Sequence, residues 1–127
     1  MALAQLNHVT VRTHDLEATK HFYENVLGLM AGPRPPFGFP GYWLYCGENA
    51  VVHLVLHTDA IGGGLSRDTG SFDHVAFTAH DFPVMRERLT KLGVAFREQQ
   101  VPGASNRQLF VEDPNGVTVE LNFPSNR

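Results

Sequence analysis

Apolar residues follow two different rhythms along this chain, and the switches between them mark its elements. Around His8 they alternate: Val9 and Val11 face one way, and His8, Thr10 and Arg12 the other. The same period of two returns at Val52, Leu54 and Leu56, with His53 and His57 opposite. It returns again at Val75 and Phe77, and at Val117, Val119, Leu121 and Phe123, with Thr118, Glu120 and Asn122 opposite. Two stretches keep helical spacing instead. Asp15 can cap a helix carrying Leu16, Thr19, Phe22, Tyr23, Val26 and Leu27, which stops at Gly28. Asp81 can cap one carrying Phe82, Met85, Leu89 and Leu92, which stops at Gly93, with Pro83 in the first turn where its missing N–H costs nothing. Trp43–Cys46 and Ala50–His57 flank a turn at Gly47-Glu48-Asn49. Gln108–Glu112 and Val117–Phe123 flank Asp113-Pro114-Asn115-Gly116, whose proline and glycine are strong turn chemistry.

These elements are written twice. Leu6 to Leu16 aligned with Phe72 to Phe82 gives four identities, His8/His74, Val9/Val75, His14/His80 and Asp15/Asp81, and three further apolar matches. The hairpins fall at matching distances behind. Each copy therefore predicts a strand, a helix and three more strands. Module 1 covers residues 4–57, module 2 covers residues 72–124, and 58–71, with Gly62-Gly63-Gly64, is the joining linker. The expected class is α+β: two tandem βαβββ modules whose helices cover one sheet face and leave the other, polar face open and curved.

Composition narrows the partners. At 127 residues the chain has one domain's worth of core, and 43% hydrophobic with 18% charged residues fit a globular protein. A net charge of −3 without a basic cluster argues against nucleic acid. No apolar run is long enough to span a bilayer, and the N-terminus lacks a basic-then-apolar leader. The single cysteine, Cys46, rules out an internal disulfide, fits a cytoplasmic location, and is expected to be a small packed residue.

The chemistry concentrates on the polar faces. His8 and His74 hold the same repeat position, and so do His53 and Glu120, at spacings of 45 and 46 residues within their modules. Modules related by a pseudo-twofold axis would converge these four side chains. Three imidazoles and a carboxylate suit one divalent ion per chain, such as Fe²⁺, Zn²⁺, Ni²⁺ or Mn²⁺, and leave positions for two substrate oxygens. His53 is the dispensable member, since three ligands suffice. His14 and His80 are expected to have structural roles and His21 to be solvated; His57, four residues beyond His53 on the same strand face, is read as exposed. Phe37, Phe39, Tyr42, Trp43 and Tyr45 crowd a Pro-rich stretch beginning at Gly32. They form either ordinary core beneath the hairpin or, with Gln108 and Phe110, an aromatic wall for a small oxygenated substrate.

Leu6-Asn7-His8-Val9, Phe22-Tyr23 with Val26-Leu27-Gly28-Leu29, Asp73-His74-Val75-Ala76-Phe77 and Asp113-Pro114-Asn115-Gly116-Val117-Thr118-Val119-Glu120-Leu121 resemble the vicinal oxygen chelate superfamily. That group holds glyoxalase I, extradiol dioxygenases, methylmalonyl-CoA epimerase, fosfomycin-resistance transferases and bleomycin-binding proteins. The resemblance implies a homodimer and a metal bound by His8, His74 and Glu120, with His53 at the fourth-ligand position of glyoxalase-like members. It further implies an enzyme whose metal chelates vicinal oxygens of a small molecule while Glu120 moves a proton. Phe110 stands where extradiol enzymes place a tyrosine, and Pro102-Gly103-Ala104-Ser105-Asn106 is a poor match to the potassium loop of fosfomycin transferases. Lyase or isomerase chemistry is therefore expected ahead of dioxygenase chemistry, with metal-free sequestration, as in bleomycin resistance, the third reading.

Overall fold

The computed structural model describes residues 2–58 and 67–124, so the Gly62-Gly63-Gly64 segment lies outside the described residues. The elements run β1 (Val9–Thr13), α1 (Leu16–His21), β2 (Met30–Gly32), β3 (Gly41–Cys46), β4 (Asn49–Leu56), β5 (Val75–Thr78), α2 (Phe82–Leu92), β6 (Arg97–Gln100), β7 (Arg107–Glu112) and β8 (Thr118–Phe123). They form two four-stranded mixed sheets ordered β1-β4-β3-β2 and β5-β8-β7-β6. The chain divides into two units, Met1–Leu65 and Ser66–Arg127, with one sheet in each. Both repeat the βαβββ order: β1 and β5 run parallel to β4 and β8, and the remaining pairs are antiparallel.

In the first unit the alternating apolar face is the buried one. Leu44, Val52 and Leu54 are wholly buried, and Val11 nearly so. Helix α1 packs across β3 and β4. Asp15 caps it by accepting from the Ala18 N–H at 3.0 Å. Thr13 and Thr19, both buried, close the joint between β1 and α1 through hydroxyls 3.0 Å apart. After His21 the helix widens into a single π turn over Phe22–Val26. Phe22, Tyr23 and Val26 in this turn are all buried. The Ala31 N–H donates to the Glu24 carboxylate at 2.8 Å, fastening β2 to this turn.

The second unit buries Leu109, Val111, Val119, Leu121 and Phe123 on its sheet and Leu89 from α2. Phe82 meets Phe123 edge to face at 5.3 Å. Here one expected cap is corrected: Asp81 makes no side-chain cap bond and adopts a left-handed backbone, φ 66°. Its carboxylate cannot reach the first-turn N–H groups from there, and Pro83 has already removed one of them. The turn after β7 is as its residues predict. Asp113 is buried, and its Oδ1 accepts from the N–H groups of Asn115 and Val117 at 2.7 and 2.9 Å. No helix among the described residues is long and apolar enough to cross a membrane.

Candidate metal centre

Register fixes the repeat pairs of the site. His53 lies opposite Thr10 on β1 and Trp43 on β3; Glu120 lies opposite Ala76 on β5 and Phe110 on β7. Trp43 and Phe110 are thus equivalent positions, as are His53 and Glu120. His8 and His74 stand immediately before the first strand of their units.

In the first unit three rings stack: His8 on His53 at 3.7 Å and 12°, and His53 on Trp43 at 4.1 Å and 13°. His8 Nδ1 donates to Asn7 Oδ1 at 2.7 Å, which leaves Nε2 free. His53 Nε2 instead meets the Ala50 carbonyl at 3.1 Å. Burial, reinforced by His8, pushes the His53 imidazole below its ordinary range. Stacked rings cannot aim their nitrogens at one ion. His53 joins His8 on a metal only by leaving the stack, whereas His8 needs no such change.

In the second unit His74 Nε2 lies 3.0 Å from Glu120 Oε1, and its Nδ1 lies 2.8 Å from Asp73 Oδ2. Glu120 is buried, and its Oε2 accepts from Gln108 Nε2 at 2.9 Å. The 3.0 Å approach also matches a shared ion, because two ligands about 2.1 Å from a metal and at right angles lie about 3 Å apart. A buried carboxylate aimed at an imidazole nitrogen and steadied by an amide is a fitting donor pair. Phe110 sits edge-on to His74 at 6.1 Å, and the Arg97 guanidinium covers the Phe110 ring at 4.1 Å. Thus His8 and His53 are neighbours in the first unit, as His74 and Glu120 are in the second. Among the described residues no group of three or more His, Cys, Asp or Glu side chains is placed to hold an ion.

A cleft of about 430 Å³ opens beside the ring stack, lined among others by Leu6, Asn7, Trp43, Tyr45 and His53. Phe37 and Phe39 are 45% and 43% exposed and stack on each other at 5.2 Å, so the aromatics before β3 are not plain core. Tyr45 donates to the Pro33 carbonyl at 2.6 Å and lies across Gly32, where a Cβ would come within 2.9 Å of its ring. Two expectations are overturned. His57 is 5% exposed rather than open: its backbone N–H donates to the Thr13 carbonyl at 2.7 Å, and its ring packs edge-on against His14 at 4.9 Å. Cys46 is exposed at the end of β3 rather than packed. Asn7 and Asp73 were not singled out as site residues from the sequence, although their shared position just before a histidine is the signal that finds them.

A family model described as the Glyoxalase/Bleomycin resistance protein/Dioxygenase superfamily matches residues 5–121. The chain belongs to that superfamily. Among its curated relatives, the lactoylglutathione lyase of Salmonella typhimurium is 32% identical, over 92% of this chain and 90% of that protein. The glutathione transferase FosA of Serratia marcescens is 29% identical, over 97% and 83%. A putative glyoxalase family protein from Bacillus anthracis shares the fold with a TM-score of 0.79 at 19% identity, over 98% of both chains. The superfamily's named relatives are thus enzymes of more than one reaction class.

Proposed function

We propose that this superfamily member is a metal-dependent enzyme acting on vicinal oxygens of a small organic substrate by glyoxalase-like lyase or isomerase chemistry. The observation that carries the reading is the His74–Glu120 pair, a buried carboxylate 3.0 Å from an imidazole nitrogen and itself tied to Gln108. In this reading His8, His53, His74 and Glu120 hold one divalent ion. When bound, the ion supplies Lewis acidity toward two neighbouring substrate oxygens.

The chain's own residues do the rest. Glu120, buried and with its Oε2 steadied by Gln108, takes a proton beside the developing anion and returns it. Gln108 orients Glu120 and so is less a substrate contact than a guide for the base. Trp43, Tyr45 and Phe110 give the substrate an aromatic wall that excludes water. The lyase at 32% identity supports this ordering, and Phe110 removes the hydroxyl that ring cleavage would use. We also place the protein in the cytoplasm, as a homodimer.

Gently purified protein is expected to carry about one divalent ion per chain. His8→Ala or His74→Ala should abolish uptake, and His53→Ala should weaken it less. Metal content by mass spectrometry decides this: full affinity in both of the first two variants removes the site. A panel of hemithioacetals, epimerisable acyl thioesters and catechols then separates the reactions. Rapid yellow ring-cleavage product from catechols with Fe²⁺ in air would put dioxygenase chemistry first.

A further inference from the structure

Neighbouring side chains in a strand point to opposite faces, so residues i and i+1 do not ordinarily bond to each other. Asn7 and His8 do, at 2.7 Å, and Asp73 and His74 do, at 2.8 Å. Each pair stands just before its strand, where the backbone has not yet taken up the pleat. The two acceptors differ chemically, an amide in one unit and a carboxylate in the other. Yet both take the same nitrogen, Nδ1, of the histidine that follows. His53 has no such partner, and its Nε2 is the nitrogen engaged.

We infer that Asn7 and Asp73 are positioning residues for the bound ion, each occupying Nδ1 of the next histidine so that Nε2 is the nitrogen presented to the metal. The inference rests on the metal reading above. An imidazole with Nδ1–H tied to an oxygen is fixed in tautomer and ring orientation, and its other nitrogen becomes the better donor. The carboxylate of Asp73 pulls harder on its N–H than the amide of Asn7, so His74 is the stronger of the two imidazole ligands. Asp73 also completes a chain through His74 and Glu120 to Gln108, in which each polar atom facing the ion's place is held by another residue.

The test uses the full-length chain and Zn²⁺ in competition with a chromophoric chelator. Asn7→Ala and Asp73→Ala should each weaken Zn²⁺ binding by about 10–100-fold. Asp73→Asn, which keeps an oxygen for Nδ1, should recover most of that loss. A second measurement reads the cause directly. Long-range ¹H–¹⁵N correlation spectra of the metal-free protein should show the His8 proton on Nδ1 in the wild type and moved to Nε2 in Asn7→Ala. A change in packing alone would not transfer that proton, and circular dichroism checks that the fold is kept. Affinities within twofold of wild type for both alanine variants, or an unchanged His8 tautomer, overturn the inference and leave the metal reading standing. A wild-type chain that takes up no Zn²⁺ would sink both.

Discussion

Single residues set several sharp limits here. Gly116 turns at φ +91°, and a Cβ there would meet the Arg67 carbonyl oxygen at 2.5 Å. Gly116→Ala therefore combines a left-handed backbone with a backbone clash, and should cost at least about 1–2 kcal/mol in chemical denaturation. Leu89, wholly buried, is the anchor of α2, and Leu89→Ala should cost about 2–5 kcal/mol. A loss under 1 kcal/mol would mean that the helix is not held by that contact. Glu24 gives a pH signature. The Ala31 N–H, helped by Lys20, holds its carboxyl below the usual carboxylate range. A carboxyl depressed in the folded state contributes stability above its unfolded titration, and this is lost as pH falls through the folded one. Glu24→Gln should thus be less stable than wild type at pH 7, and the gap should close in acid. A gap that stays constant across a pH series of urea melts would contradict the link between Glu24 and Ala31.

At the scale of elements, the two helices of the repeat are not equals. The turn that follows α1 buries Phe22, Tyr23 and Val26, whereas α2 buries Leu89 and leaves Val84 and Leu92 more than half exposed. Its entry is also strained at Asp81, so amides of α2 should exchange with solvent faster than those of α1. Asp81→Gly, which removes the Cβ from a left-handed position, should raise stability by about 0.5–1 kcal/mol. The strands were the legible part of the sequence. Period-two alternation marked β1, β4, β5 and β8 because one sheet face is buried, and the duplication tied His8 to His74 and His53 to Glu120. What escaped had no periodic signature. The π turn over Phe22–Val26 keeps apolar spacing that an α-helix would also show, β6 is an exposed polar edge of Arg97, Glu98, Gln99 and Gln100, and His57 is buried just past the end of β4 against His14. Ring stacking of His53 between His8 and Trp43 is a cross-strand effect that a linear pattern does not encode.

The whole molecule is two copies of one plan, and each copy carries half of the proposed ligand set. If the sites form between subunits of the proposed homodimer, mixing His8→Ala chains with Glu120→Ala chains restores one intact site in the mixed dimer. If every site is built within one chain, mixing restores none. Metal uptake by the mixture tells these apart, and a monomer in light scattering at micromolar concentration removes the exchange altogether. The plan of each copy also carries a kinetic consequence. Its opening strand lies beside its closing strand, Val9 by Val52 and Val75 by Val119, while the hairpins in between join near neighbours. Closing so long a loop is the entropically expensive step, which contacts of short range must precede. Leu44→Ala, in the hairpin, should slow refolding, and Val11→Ala, in the opening strand, should mainly speed unfolding. The same order holds during synthesis: the first copy cannot finish until its last strand has left the ribosome. His8, made early, waits for His53 to arrive, and the stacking of their rings is a clock for the completion of that half.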